Sequence, residues 1–282
     1  MKIWVLKTLG IVGVLFVWWL FSLFLQSKSE YVAFHGLGPV QSLESLWTLF
    51  YKGEIWPPLK ASLRRVFLGL LLAFLIGIPT GLVFGYLKSF RHMADIPFQF
   101  LRMVSPLSWM PLAILFFPGW ESAIVFLVTM ATLWPLLFAT ASGVTKINPD
   151  WILLGKNLGA SELQMLRYII LPAVLPDILS GLRLAVGIAW VVIVPAEYLG
   201  VTSGLGYAIN DARDTIHYSK LVAWVMVVGL VGFSLDRFVG YLLGRFSWHE
   251  LEKRERIKPW EKLFLKWEKK WGKYETQGDF QI

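Results

Sequence analysis

The stretch that decides the fold is Asn148–Pro176, NPDWILLGKNLGASELQMLRYIILPAVLP, a mixed polar segment between two long apolar runs. It is too polar to cross a bilayer. Asn148 is typical of a helix N-cap, because its side chain accepts an unpaired backbone N–H. Gly159 suits a left-handed turn at the end of that helix, and Ser161 with Gln164 forms a capping box that starts a second one. The pattern predicts two short helices joined at Gly159.

The far end of the second helix is expected at Pro172 and Pro176, because proline cannot donate the hydrogen bond that continues a helix. Residues 148–176 are called the elbow loop below. Two short helices of this kind would lie across the membrane surface, where another protein could bind them. An amphipathic loop helix in an unrelated transporter would show the same local pattern, so that alternative stays open.

Composition places the chain among membrane proteins. Of its 282 residues, 56% are hydrophobic and only 16% are charged, and the mean hydropathy is +0.58. Soluble domains of this size carry more charge. The absence of cysteine excludes disulfides, thiol nucleophiles and thiolate metal sites. A net charge of +8 fits the basic cytoplasmic side of a membrane protein, so we expect no nucleic-acid partner.

Runs of about 20 apolar residues, each able to span a hydrocarbon core of roughly 30 Å, predict an all-α, polytopic membrane protein with six transmembrane helices. The first, residues 3–25, is expected to be a retained anchor, because it is too long for a signal peptide and lacks a small-residue cleavage site. The chain then divides into this helix with an external connection (1–57), a transmembrane domain (58–244) and a tail (245–282). The other five spans are expected at about 66–87, 98–117, 121–144, 178–199 and 221–244.

Two local patterns refine this division. Apolar residues at helical spacing in the external connection predict a short interfacial helix, and they are Val40, Leu43, Leu46, Leu49 and Phe50. Four glycines near one face of the second span would let another helix approach closely, and they are Gly69, Gly77, Gly81 and Gly85.

The third span carries three prolines, Pro106, Pro111 and Pro118. They predict a broken or kinked helix whose freed carbonyl groups need partners or water. Breaks of this kind often mark a transport path, so we expect the path to pass here.

Ionisable residues in or beside apolar segments are candidates for that path, because an unpaired charge in a membrane costs several kcal/mol. One interpretation is that Arg102 or Arg183 attracts an anion and that Glu197 acts as a gate near the external end. The alternative is that each arginine anchors its helix at the cytoplasmic interface or pairs across a subunit contact, and that Glu197 makes a packing hydrogen bond. The path candidates are Arg102, Ser105, Ser108, Trp109, Arg183 and Glu197.

The elbow loop resembles a known family motif. Gly159, nine further residues and Ile-x-Leu-Pro at 169–172 match the G-x9-I-x-L-P half of the EAA loop in permease subunits of binding-protein-dependent ABC importers. In that family the loop holds a coupling helix that docks into a cytoplasmic ATPase. Leu153-Leu154-Gly155 stands where Glu-Ala-Ala would fall, which leaves the individual docking contacts open. The resemblance implies ATPase coupling through Lys156, Asn157, Gly159, Ala160, Ser161 and Glu162.

A second resemblance narrows the family to its nitrate, sulfonate, taurine and bicarbonate branch. It is carried by residues 59–79 and 181–206 and by the third span, with its pattern Leu101-Arg102-x3-Pro106-x2-Trp109-x-Pro111-Leu112. The match covers roughly residues 58–243. It implies a type I ABC importer transmembrane domain and a small anionic substrate of one of these classes.

The resemblance also implies the partners and the energy source. The permease would form a homodimer in the inner membrane, with two ATPase subunits at the elbow loops and one extracytoplasmic substrate-binding protein. Import would proceed by alternating access, driven by ATP. The chain has no G-x4-G-K-[ST] phosphate loop, so we expect it not to be an enzyme and to hold no cofactor, with ATP and Mg²⁺ bound by the partner ATPase.

Two alternatives remain from the residues themselves. A self-contained secondary transporter or channel would need internal repeats and a coupling-ion site of intramembrane carboxylates, and the sequence offers little of either. A purely structural assembly subunit is compatible with the sequence but leaves the broken third span unexplained.

Charge predicts the orientation. If the N-terminus is cytoplasmic, then the basic loop at 88–92, the elbow loop and the tail are cytoplasmic too, and the tail from Arg245 onward adds ten lysines and arginines. The positive-inside rule therefore places both termini in the cytoplasm. The tail is expected to form an amphipathic helix on the inner membrane surface, or to pack on the ATPase or extend into solvent. Its apolar stripe is Trp260, Leu263, Phe264, Trp267 and Trp271.

Overall fold

The computed structural model describes residues 2–27 and 36–246, and all regular structure in these residues is helical. A 3-10 turn, Pro106–Trp109, precedes α5, and a π-helical turn, Leu166–Ile170, joins α8 to α9. The helices are α1 (Lys2–Gln26), α2 (Pro39–Tyr51), α3 (Trp56–Tyr86), α4 (Lys88–Met103), α5 (Met110–Phe116), α6 (Trp120–Thr145), α7 (Pro149–Asn157), α8 (Glu162–Met165), α9 (Leu171–Gly200), α10 (Leu205–Asp214) and α11 (Tyr218–Phe246).

Within the described residues, five helical stretches are long and apolar enough to cross a membrane: 5–26, 56–86, 120–145, 162–200 and 218–244. The third predicted span is instead divided. Helix α4 ends at Met103, Val104 is extended, and the chain resumes in the 3-10 turn and the short helix α5. Proline at 106 starts the turn, since it lacks the N–H that would continue α4. The predicted break is therefore confirmed.

Helices α3 and α6 run parallel and pack through the predicted glycine stripe. Gly69 faces Val128, Gly81 faces Leu137, and the numbers rise together along both helices. A methyl group at Gly81 would lie 2.6 Å from the Leu137 carbonyl oxygen, so the two backbones approach too closely for a side chain. The predicted role of these glycines in close helix packing is confirmed.

Helix α9 completes the core by packing antiparallel to α6. Gly143 of α6 faces Val174, and Gly181 of α9 faces Ala139. Helix α11 then packs antiparallel on α9, where the indole N–H of Trp190 donates to the Val228 carbonyl at 3.1 Å. The parallel and antiparallel pairs put the start of α3, the start of α6 and the end of α9 at one end of the bundle, and the elbow loop at the other.

The short helix predicted in the external connection forms as α2, which packs against α11, while its position at the membrane interface stays a prediction. Leu49 is buried in the main core, while Val40, Leu43 and Phe50 are exposed. The predicted tail helix lies outside the described residues, since of residues 245–282 only the last two of α11 are described.

The elbow loop forms with one correction. The Asn148 side chain accepts from the Asp150 N–H at 2.9 Å, and both hydrogen bonds of the Ser161 capping box are present. The expectation that Pro172 and Pro176 end the second helix is wrong. Pro172 lies just after the π turn, where the regular i→i−4 ladder is already interrupted, and Pro176 lies inside α9. Helix α8 therefore continues through the π turn into the membrane span.

Candidate functional site

The elbow loop is a tightly closed hairpin. Gly159 has φ +76°, the left-handed conformation that glycine adopts without strain, and it turns the chain between α7 and α8. Gly155 packs directly on the returning segment, because a methyl group there would lie 2.7 Å from the Ile169 Cδ1 atom. Met165 is 1% exposed beneath this contact. The hairpin therefore has a defined shape.

The outer surface of the hairpin is apolar and uncovered. Its large side chains are between 54% and 78% exposed, and they are Trp151, Leu153, Leu154, Leu158 and Leu163. The predicted coupling residues lie together at its tip: Ala160 is partly buried, and the exposed ones are Lys156, Asn157, Gly159, Ser161 and Glu162.

Polar contacts tie this hairpin to the bundle. The Tyr86 hydroxyl, at the end of α3, lies 3.4 Å from the Glu162 carboxylate at the start of α8. Lys146 follows α6, and its Nζ lies 2.6 Å from the Asp177 carboxylate of α9. Neither of these two contacts was predicted from the sequence. The charged pair could have been found, because Lys146 and Asp177 flank the elbow loop and carry opposite charges.

A cavity of about 640 Å³ lies where α4, α6 and α9 meet. The Arg102 guanidinium reaches it from the last turn of α4 and lies over the Phe138 ring of α6, 4.9 Å from the ring centroid. The lining residues are Arg102, Val104, Pro106, Ala131, Trp134, Pro135, Phe138, Ala139, Ser180, Gly181, Leu184 and Ile188.

The other predicted path residues of the third span lie beside this cavity rather than on its lining. Ser105 and Ser108 are exposed at the helix break, where the Ser108 N–H donates to the Ser105 carbonyl at 2.9 Å. Trp109 is partly buried and packs on the main core.

Arg183 faces a second cavity, of about 550 Å³, on the other side of α9. Its Nη2 atom lies 3.3 Å from the Asp236 carboxylate of α11, and both side chains are about half exposed. Ser180, Leu184 and Ile188 line both cavities, so the two arginines lie on either side of one strip of α9.

Glu197 lies apart from both cavities, in a buried ionic cluster at the opposite end of the bundle from the elbow loop. Its carboxylate is 2.6 Å from the Arg65 Nη1 atom, accepts from the Ser62 hydroxyl at 2.7 Å, and accepts from the Gly206 N–H at 3.1 Å. Arg65 also pairs with Glu121 and donates to the Ser203 carbonyl at 2.9 Å. Arg65 and Glu197 are both 0% exposed. The cluster joins α3, α6, α9 and the loop before α10.

Arg65 was not predicted as a buried residue, because the second span was expected to begin only at residue 66. Helix α3 begins at Trp56, which places Arg65 within the helix. An alternating six-span topology puts Arg65, Glu121 and Glu197 at the same end of three spans, and this could have indicated the pairing.

A family model described as "Binding-protein-dependent transport system inner membrane component" matches residues 57–248, well over half of the chain. The chain belongs to this family. It is therefore a permease subunit of an ABC importer, a multi-pass inner-membrane protein that is not itself an enzyme. The predicted family and the predicted all-α membrane fold are confirmed, and the family implies partnership with an ATPase and a substrate-binding protein.

Curated relatives of this permease carry three different transport names. The bicarbonate transport system permease protein CmpB of Synechococcus elongatus is 34% identical over 247 residues, covering 83% of this chain and 86% of that protein. The nitrate import permease protein NrtB of Leptolyngbya laminosa is 34% identical and covers 73% and 77%. The taurine transport system permease protein TauC of Escherichia coli is 33% identical and covers 75% and 79%.

Among solved structures, the inward-facing MetNI methionine ABC transporter matches the permease with a TM-score of 0.49 and 16% identity, covering 64% of this chain and 92% of that chain.

Proposed function

We propose that the permease imports a small oxyanion or sulfonate, received from a binding protein on the external side and driven by ATPase subunits at the elbow loops of a homodimer. The relatives CmpB, NrtB and TauC are named for bicarbonate, nitrate and taurine. These substrates differ in shape but share a small anionic head group. We place both chain termini in the cytoplasm, because basic segments such as the tail are concentrated on the cytoplasmic side of a membrane protein.

The observation that supports an ATPase at the elbow loop is its uncovered apolar surface. Trp151, Leu154 and Leu158 are each more than half exposed on the outer surface of the hairpin, and no described segment of the chain covers them. Exposed apolar side chains grouped in this way mark protein interaction sites. A cytoplasmic ATPase is the partner that the family provides.

The hairpin is joined to the membrane spans both by the chain itself and by side-chain contacts, so a movement of the hairpin would be passed to the spans. Helix α8 continues through the π turn into α9, while contacts at Tyr86 and Lys146 join the hairpin and α9 to α3 and α6. When ATP closes the ATPase pair, the two elbow loops would be drawn together and α9 would move with them. This movement would turn the path from inward-facing to outward-facing, and hydrolysis would reset it.

A second copy of the chain would shelter the charged face of α9 and α11. Arg183 and Asp236 are half exposed within membrane-spanning helices, where hydrocarbon would solvate them poorly. A homodimer that encloses a wet path along this face would remove them from lipid.

The test is copurification of the ATPase with an altered elbow loop. We expect Gly159→Glu to abolish copurification, because a bulky charge would be placed in the docking surface. A side chain at position 159 meets no atom within 4 Å, but it strains the left-handed backbone there. Gly159→Gln is therefore the control, since it brings the same strain and a side chain of similar size without the charge. Full ATPase recovery and transport with Gly159→Glu would refute the proposal.

A further inference from the structure

The cavity between α4, α6 and α9 has the electrostatics of an anion site. Arg102 is its one charged lining residue, and no carboxylate lines it. The other polar lining side chains are Trp134 and Ser180, and the Ser180 hydroxyl donates to the Pro176 carbonyl at 2.9 Å. The remaining lining is apolar, and Arg102 itself is exposed.

Three other arginines of the described helices have polar partners. Arg65 pairs with Glu121 and Glu197, Arg183 with Asp236, and Arg91 donates to backbone carbonyls. Arg102 has no carboxylate and no hydrogen-bond acceptor in the part of the chain that the structure describes. An arginine carries five N–H donors in a planar fork, so those of Arg102 are available to a ligand.

Aromatic stacking alone does not distinguish Arg102, because Arg237 has a similar contact. The guanidinium of Arg237 lies 5.1 Å from the Phe233 ring centroid, compared with 4.9 Å for Arg102 and Phe138. The difference is location, since Arg102 lines the 640 Å³ cavity and Arg237 lines neither that cavity nor the one at Arg183. Arg237 therefore provides a matched control.

We propose that Arg102 is a binding residue for the transported anion, holding an oxyanion or sulfonate group by paired N–H donation in this cavity. The assignment rests on the proposed function for the identity of the ligand. Phe138 contacts the guanidinium through its ring, and no hydrogen bond among the described residues uses the N–H donors that an anion would accept from. The break after α4 lets the arginine reach the cavity from a helix end.

The charge of the cavity can be measured without transport. The natural chain has no cysteine, so Val104→Cys gives a single thiol that lines this cavity and not the one at Arg183. The purified permease is treated with a negatively charged sulfonatoethyl methanethiosulfonate and with its positively charged trimethylammonium counterpart. We expect Arg102→Gln to lower the ratio of the two labelling rates by about fivefold and Arg237→Gln to leave it unchanged. An unchanged ratio with Arg102→Gln, or equal changes with both variants, would overturn the proposal.

Transport then tests the ligand. With the complete importer in proteoliposomes, uptake of nitrate, bicarbonate and taurine is measured for each variant. We expect Arg102→Gln to lower uptake of the accepted anion at least about tenfold, Arg102→Lys to retain part of it, and Arg237→Gln to match the unaltered protein. Unchanged uptake with Arg102→Gln refutes the binding role. If the unaltered importer takes up none of the three anions, the proposed substrate class fails, while the labelling ratio still decides the charge of the cavity.

Discussion

Arg65 illustrates what a charge requires inside a membrane bundle. It is completely buried, yet its donors reach Glu121, Glu197 and the Ser203 carbonyl. The second carboxylate is balanced by Arg64, whose Nη2 atom lies 2.9 Å from Glu121, while the Ser62 hydroxyl and the Gly206 N–H donate to Glu197. The arrangement joins the ends of three membrane helices, so the geometry supports a structural role for Glu197.

Removing the Glu197 charge should therefore destabilise the permease. We expect Glu197→Gln to cost roughly 3 kcal/mol, because Arg65 would remain buried with one of its partners neutral. Asp214→Asn is the control, since its ion pair with Arg213 is half exposed outside the membrane spans and such pairs contribute little to stability. The measurement is the thermal unfolding midpoint of the detergent-solubilised protein. Equal midpoints for the two variants would contradict the structural role.

Local hydrogen bonds could be predicted from sequence and distant ones could not. The caps at Asn148 and Ser161 involve residues two or three positions apart, so their patterns are complete within the elbow loop. Arg65 and Glu197 are 132 positions apart. Their pairing depends on where three spans begin and end, and an error of ten residues at the start of α3 was enough to hide it.

The parallel pair α3 and α6 shows how the sequence can specify helix packing in lipid. Burial from water contributes little between membrane helices, so close contact of the backbones must supply the stability. Glycines spaced eight, four and four residues apart provide that contact along α3. This feature was predictable because the spacing follows the period of a single helix.

A single methyl group should test that packing. We expect Gly81→Ala to destabilise the bundle by about 1–3 kcal/mol, because its Cβ would lie 2.6 Å from the Leu137 carbonyl oxygen. Gly13→Ala in α1 is the matched control, since no atom lies within 4 Å of a Cβ at that position. Thermal unfolding midpoints would be compared in detergent. If both alanine variants unfold at the temperature of the unaltered protein, α3 and α6 do not pack as described.

The continuity of α8 and α9 shows the limit of such patterns. Pro172 and Pro176 were expected to stop a helix, but a proline is also tolerated just after a π turn, where the regular i→i−4 ladder is already interrupted. Which role applies depends on whether the π turn, Leu166–Ile170, connects the two helices. A five-residue π turn is too short to leave a periodic pattern of apolar residues, so the sequence alone does not predict it.

The bundle as a whole has two chemically different ends. The ionic cluster of Arg65 and Glu197 lies at one end, while the apolar elbow loop and the Lys146–Asp177 pair lie at the other. A charge-paired end and an apolar, uncovered opposite end suit a subunit that receives force on one side of the membrane. The count of lysines and arginines predicted that the elbow loop faces the cytoplasm. The basic tail, which contributes most to that count, lies outside the described residues.

The orientation of these two ends can be tested in the membrane with single cysteines. Lys156 and Thr215 are both exposed, the first on α7 of the elbow loop and the second after α10 at the other end of the bundle. Because the natural chain lacks cysteine, Lys156→Cys and Thr215→Cys each give one thiol. With the permease expressed alone, an impermeant maleimide should label position 215 in spheroplasts and position 156 only in inverted vesicles. The reverse pattern would put the elbow loop outside the cell, where no ATPase could drive it.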